Sequence, residues 1–431
     1  MIAVTSGEQA TVYSKITLAN GLRVVSAQMP HTRSAAVQLY IGVGARHEAA
    51  RVSGVSHFVE HMVFKGTESR PNPVQISETI EGVGGSMNAA TDHEHTNYRA
   101  LVPSRYFSTA LEVLADMLLR ARFDPADIEK ERAVILEEIS STLDAPGEIV
   151  DLVSDEMIWG KHPLGQDVAG STRSVKRITR DDLISHVSEN YSPSNIVISV
   201  AGNVTHETAV REAERLWGGI EDNRAEGVGI VSPRVEEGPR VRVRRKRTEQ
   251  SNLILALPAL PYTHRDRHVQ DVLDAMLGGG MSSRLFVELR ENLGLAYSVG
   301  SFLKTYADVG AFGVHAAVDN EQVAPAVRAI IKELYRIRDE RVPEVELRKV
   351  KEYIKGHTLL SLERSGYVSH WGGWQELMLG RIETIDEVVD HIEEVTSSEV
   401  QTLAGRLFNP EAMHLAVVGP FKDSTLLENL F

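Results

Sequence analysis

Two fourteen-residue stretches of the chain read alike: YSPSNIVISVAGNV, beginning at Tyr191, and FNPEAMHLAVVGPF, beginning at Phe408, 217 positions later. Each places a proline two residues after an aromatic and then runs through apolar residues to a glycine. A repeat at half the length of a 431-residue chain restricts the fold to two similar units in tandem, each large enough for its own core. We divide the chain into a first domain, 1–217, a linker, 218–239, marked by GG, EG and SP punctuation, and a second domain, 240–431.

Apolar and polar residues alternate from Ile16 to Gly42, and Asn20-Gly21 marks a hairpin between two strands. A helix ends near Gly66, and a more polar one is expected from Pro73 to Val83. Gly84–Pro103 is rich in strand formers with period-two alternation, and helices are expected to Arg120, from Pro125, over Glu148–Trp159 and over Arg180–Asn190. Asn195–Gly202 reads as the strand that closes the first half.

The chemistry concentrates in Gly54–Thr67, GVSHFVEHMVFKGT. On a helix, His57 and His61 stand one turn apart on one side with Glu60 beside them, while Val55, Phe58, Val59, Met62 and Val63 turn toward a core. Two imidazoles at that spacing suit a tetrahedral zinc ion, and the neighbouring carboxylate can take a proton from water polarised by it. The competing reading is a surface helix whose histidines meet only solvent. A metal site needs a third ligand from elsewhere in the chain.

The helix from Pro125 supplies candidates. Ile128, Val134, Ile135 and Ile139 define its apolar side, into which Glu131 and Glu138 project, two turns apart. Glu129, Lys130 and Glu137 face away. Carboxylates on a buried face need a positive partner, which selects Glu138 as the third ligand and Glu131 as a residue bonding to a ligand. The alternative is that both pair with buried arginines. There is no cysteine, so thiolate sites and disulfides are excluded and histidine–carboxylate sites remain.

H-x-x-E-H at His57–His61, followed 77 positions after His61 by Glu138 within ERAVILEEI, resembles the inverzincin pattern of the pitrilysin, insulin-degrading enzyme and mitochondrial processing peptidase family. The resemblance implies an α+β fold of two similar domains, each a mixed or antiparallel sheet packed with helices, with one zinc per chain held by His57, His61 and Glu138. It implies a metalloendopeptidase with Glu60 as the base. SMNAATDHEHTNYRALVP resembles the family's edge strand, so Asn88, Ala89, Ala90 and Thr91 would hold an extended peptide. Arg290 and Tyr297, seven residues apart in LRENLGLAY, match the arginine and tyrosine that approach the metal from the opposing domain. Because larger relatives fuse two such double-domain halves around a chamber, a chain of this length implies a homodimer.

Positions 217 beyond the ligands are Asp274, Gly278 and Lys355, and no second H-x-x-E-H occurs, so only the first unit is expected to bind metal. His93 and His95 share a face if both lie on a strand, but solvated or hydrogen-bonding histidines are the simpler expectation. A net charge of −14 opposes nucleic-acid binding. The basic run Arg240, Arg242, Arg244, Arg245, Lys246 and Arg247 alternates with Val241 and Val243 as a strand with one wet face. With neither a membrane-spanning apolar run nor a signal-type start, a cytoplasmic location is expected. Two rival functions are a non-catalytic peptide-binding or scaffold subunit of the same family, which would require a broken motif, and a zinc lyase of the S-ribosylhomocysteine type, which is a single small domain.

Overall fold

The computed structural model describes residues 13–223, 232 and 240–430, so most of the expected linker lies outside the described residues. In the first half, β1 (Tyr13–Thr17) and β2 (Arg23–Gln28) turn at Asn20-Gly21, where Gly21 takes φ +87°, a left-handed conformation open to glycine without Cβ strain. There follow β3 (Ser34–Ile41), α1 (Val55–Val63), α2 (Pro73–Glu81), β4 (Ser86–Thr91), β5 (Thr96–Pro103), α3 (Phe107–Arg120), α4 (Pro125–Asp144), α5 (Pro146–Trp159), the single turn α6 (Thr172–Val175), α7 (Arg180–Asn190), β6 (Ile196–Gly202) and α8 (His206–Trp217). The sequence reading assigns no element to α8, although Thr205 caps it by accepting the Thr208 N–H.

The second half continues with β7 (Val241–Arg245), β8 (Gln250–Ala259), α9 (Arg267–Gly278), a π-helical segment at Phe286–Asn292, β9 (Ala296–Thr305), β10 (Gly310–Asp319), α10 (Val323–Asp339), α11 (Glu344–Ser361), α12 (Ser365–Leu379), α13 (Ile385–Glu394), α14 (Ser397–Leu407), β11 (His414–Gly419) and α15 (Thr425–Glu428). The alternating part of the basic run, Val241–Arg245, forms β7 and pairs in parallel with β11, while Arg240, Lys246 and Arg247 lie outside the strand.

The two sheets are ordered β1-β2-β6-β3-β5-β4 and β7-β11-β8-β10-β9. Without β1 the orders coincide strand for strand. Each has one parallel pair, β2 with β6 or β7 with β11, followed by three antiparallel pairings. The same mixed-sheet α+β architecture is therefore built twice.

Compact packing follows a different division from the two halves. One unit comprises Met1–Arg132, Lys176–Val228 and Thr358–Asp390, and the other Ala133–Val175, Gly229–His357 and His391–Phe431. Helix α5, from the first half, packs on the second sheet, where Ile149, Val150, Ile158 and Trp159 cluster with Ile254, Ala256, Ala416 and Val418. Helix α12, from the second half, packs on the first. There Ser199 Oγ donates to Ser369 O at 2.6 Å and Ser369 Oγ to Ser199 O at 2.9 Å. A Cβ on Gly373 would stand 2.6 Å from Tyr40 Cε2 and 2.7 Å from Ser199 Cβ, so this close approach requires glycine.

Candidate metal centre

Helix α1 forms as its pattern dictates: Val55, Phe58, Val59, Met62 and Val63 are all buried, and His57, Glu60 and His61 are half-buried on the other side. Gly54 precedes it at φ +94°. The start of the helix is held by a residue that the sequence reading missed. Glu48 accepts the Gly54 N–H at 2.6 Å and the Ser56 N–H at 2.7 Å, so a carboxylate meets the positive end of the helix. Desolvation lifts this carboxyl to about 7 against the opposing effect of those two N–H bonds. Six residues from Gly54, Glu48 has no capping spacing that would mark it in sequence.

The His57 and His61 rings meet edge to face with centroids 4.6 Å apart. Desolvation, followed by the neighbouring His61, lowers the His57 pKa to about 4. Its imidazole is neutral near pH 7, the form that offers a metal a lone pair. Glu131, buried as expected, bonds His61 Nδ1 through Oε2 at 3.1 Å and Lys65 Nζ through Oε1 at 2.7 Å. This leaves Nε2 as the other nitrogen of the His61 ring, the arrangement by which a carboxylate orients a metal-binding imidazole.

Helix α4 is continuous from Pro125 to Asp144, and the division between packing units falls inside it, between Arg132 and Ala133. It carries Glu138 two turns beyond Glu131. One donor atom each from His57, His61 and Glu138 lies within 4.8 Å of the others. Two imidazoles and one carboxylate at that separation fit a tetrahedral zinc ion with a fourth position left over. Two details of the expectation are corrected. Glu138 is exposed rather than buried among the apolar residues, and Val134, assigned to the apolar side, is 44% exposed, while Ile128, Ile135 and Ile139 are buried. The buried stripe of α4 is thus narrower than the pattern suggests, and Glu138 sits at its margin.

Glu60 is engaged from the edge strand: Thr91 Oγ1 donates to Glu60 Oε2 at 2.6 Å. Thr91, one of the four residues read as holding a peptide, also places its hydroxyl on the candidate base. Beneath, the buried hydroxyls of Tyr98 and Tyr191 are 2.9 Å apart, and each tyrosine is pushed upward in pKa, first by burial. Asn88, Ala89 and Ala90 lie on the same strand, and β4 is the terminal strand of its sheet. His93 and His95 occupy the turn between β4 and β5 rather than a strand, so they do not share a strand face.

Arg290 lies on the π-helical segment and Tyr297 on β9, which ends the second sheet. The Arg290 guanidinium stands 5.0 Å from the Phe286 ring centroid and 5.7 Å from that of Tyr297. Tyr297 is 71% exposed. At the repeat equivalents of the ligands, Asp274 and Gly278 lie on α9 and Lys355 on α11, where Lys355 pairs with Glu352.

Fold and donor set define a class: a duplicated α+β chain with a His-His-Glu group that could hold a metal ion on helices of its first half. The insulinase model of peptidase family M16 matches residues 23–172, and the model of the peptidase M16 inactive domain matches 177–354. A Bacillus subtilis chain named as an uncharacterized zinc protease, YmxG, is 35% identical over 406 residues, covering 94% of this chain and 98% of that one. A chain of the same description from Mycobacterium leprae is 36% identical over 96% of this chain and 93% of its own length. The chain belongs to peptidase family M16. In fold it is similar to a protease from Helicobacter pylori, with a TM-score of 0.89 at 22% identity over 96% of this chain and all of that one.

Proposed function

We propose that the protein is a zinc-dependent endopeptidase that cleaves unfolded peptides, with one zinc per chain held by His57, His61 and Glu138. The observation that carries this reading is the convergence of those three donors within 4.8 Å, with Glu60 on the same helix as both histidines. Bound zinc supplies a Lewis acid that lowers the pKa of water and polarises the scissile carbonyl. Glu60 accepts the water's proton and returns it to the departing amine. Thr91, bonded to one Glu60 oxygen, fixes the carboxylate's orientation, and Glu131 fixes that of His61. Asn88, Ala89 and Ala90 hold the substrate by strand addition, which selects extended chains because a folded substrate offers no free edge.

Tyr297 donates a hydrogen bond to the developing oxyanion, and Arg290 orients it. In this reading both reach the metal of a second copy, and a homodimer encloses the peptide. The exposure of Tyr297 and its pairing with Arg290 support that role. No helix among the described residues is long and apolar enough to cross a membrane, and we assign the enzyme to the cytoplasm. The non-catalytic alternative lacks support, since the motif and the distal glutamate are both intact.

The test is cleavage of an unstructured peptide. Activity should vanish with a chelator and return with zinc, and His57→Ala should bind less than a tenth of the parental zinc. Cleavage unaffected by chelation would overturn the assignment.

A further inference from the structure

The face of the first sheet turned away from α1 carries a feature that the proposed chemistry does not use. Along β4, residues 87, 89 and 91 are half-buried and residues 86, 88 and 90 exposed. Thr91 marks the former face as that of Glu60, so Ser86, Asn88 and Ala90 point the other way. Strand register aligns Gln38, Arg99 and Asn88 in one row across β3, β5 and β4, and Ala36, Leu101 and Ser86 in another. Both rows line a cavity of about 780 Å³, bounded also by the start of α12.

The polar groups of this cavity are unequally committed. Gln38 Nε2 donates to Gly366 O at 2.7 Å, and its Oε1 accepts the Tyr40 hydroxyl at 2.9 Å. His370 Nδ1 bonds to the same hydroxyl, and burial, His95 and Arg99 together depress its pKa. Arg99 is exposed and makes no ion pair among the described residues. Arg99 and Arg364 line the cavity with one acidic residue, Glu363, so its lining carries a net positive charge in a chain of net charge −14.

We propose that this cavity is a specificity subsite that takes a carboxylate side chain, Asp or Glu, from a peptide lying along β4, with Arg99 as its recognition group. The inference rests on the reading of β4 as the peptide-holding strand. A strand added there would lie about 4.8 Å from β4 and roughly 10 Å from β5, a gap that an arginine and a glutamate side chain span together. Because successive side chains alternate, the residue read by Arg99 has neighbours that face α1. The subsite therefore acts at a fixed parity from the bond presented to Glu60. A guanidinium recognises a carboxylate through paired, charge-assisted hydrogen bonds and repels a lysine.

The experiment scans Glu, Gln and Lys through each position of one unstructured fluorogenic peptide, using the zinc-loaded full-length chain. At one position kcat/KM should favour Glu over Lys by about tenfold or more. Arg99→Gln should abolish that ratio and Arg99→Glu should invert it, with the zinc content of the parent in both. The same ranking is measured as binding of the Glu and Lys peptides to Glu60→Gln chains and their Arg99 variants. Loss of cleavage for every peptide would count against the hydrolytic reading alone. Equal binding of the Glu and Lys peptides, or a ranking unchanged by Arg99→Glu, would overturn the subsite.

Discussion

At the scale of single residues, the proposed function separates side chains that would hold metal from side chains that would handle protons. Glu60→Gln should retain zinc while kcat falls by about 10²–10⁴-fold, the usual contribution of a positioned base; metal analysis and steady-state kinetics on one preparation separate the two effects. Glu138→Gln should weaken zinc binding by about tenfold or more and Glu137→Gln hardly at all, and equal losses would refute the choice between these neighbours. Thr91→Val, which removes one bond to a charged group, should lower kcat by about tenfold with zinc retained, and Thr91→Ser should restore it. The shared side of His57, Glu60 and His61 and the burial of Glu131 were legible because helical spacing fixes which side chains share a face, whereas the buried position read for Glu138 was not borne out. Thr91's bond to Glu60 was not legible, although period-two alternation already groups Thr91 with Ala89 and Met87. What alternation omits is the helix that packs against that side of the strand.

At the scale of elements, two contacts hold helices in place, one beside α1 and one on the first sheet. Asp182, at the start of α7, accepts from Arg51 and, within a capping box, from Thr179 N at 2.8 Å. Arg51, with the capping bonds, holds the Asp182 carboxyl at about 2, against an ordinary 3.8. The folded state thus favours the ionised form. Its contribution is complete above pH 4 and is lost as pH falls through 2. Asp182→Asn should cost about 1 kcal/mol near pH 7, with the difference in denaturation midpoint from the parent narrowing between pH 4 and pH 2. A gap that stayed constant across that window would dissociate the stabilisation from the ionised carboxylate. Helix α12 is the second case. Gly373→Ala forces a methyl against Tyr40 and Ser199, and overpacking of this kind costs about 1–3 kcal/mol. An unchanged melting temperature would show that α12 has room to withdraw.

At the scale of the whole molecule, the proposed homodimer makes a complementation prediction. Mixing Glu60→Gln chains with Tyr297→Phe chains should restore activity above that of either parent, because one hybrid site carries both intact residues. Activity no higher than the parents would mean that each chain completes its own site. The sequence alone determined the duplication, most of the strand and helix order of the first half and the H-x-x-E-H helix, because all three rest on local spacing: a 217-residue offset, period two in strands and one turn in helices. Only the tertiary structure decided that α5 and α12 change sheets, that Glu48 anchors the start of α1, that Glu138 lies close to the histidines from an exposed position and that Arg99 lines a cavity. Each of these depends on which surfaces meet across long chain separations. Local propensity and periodicity describe a segment's own faces, and its partner is selected only when the chain packs.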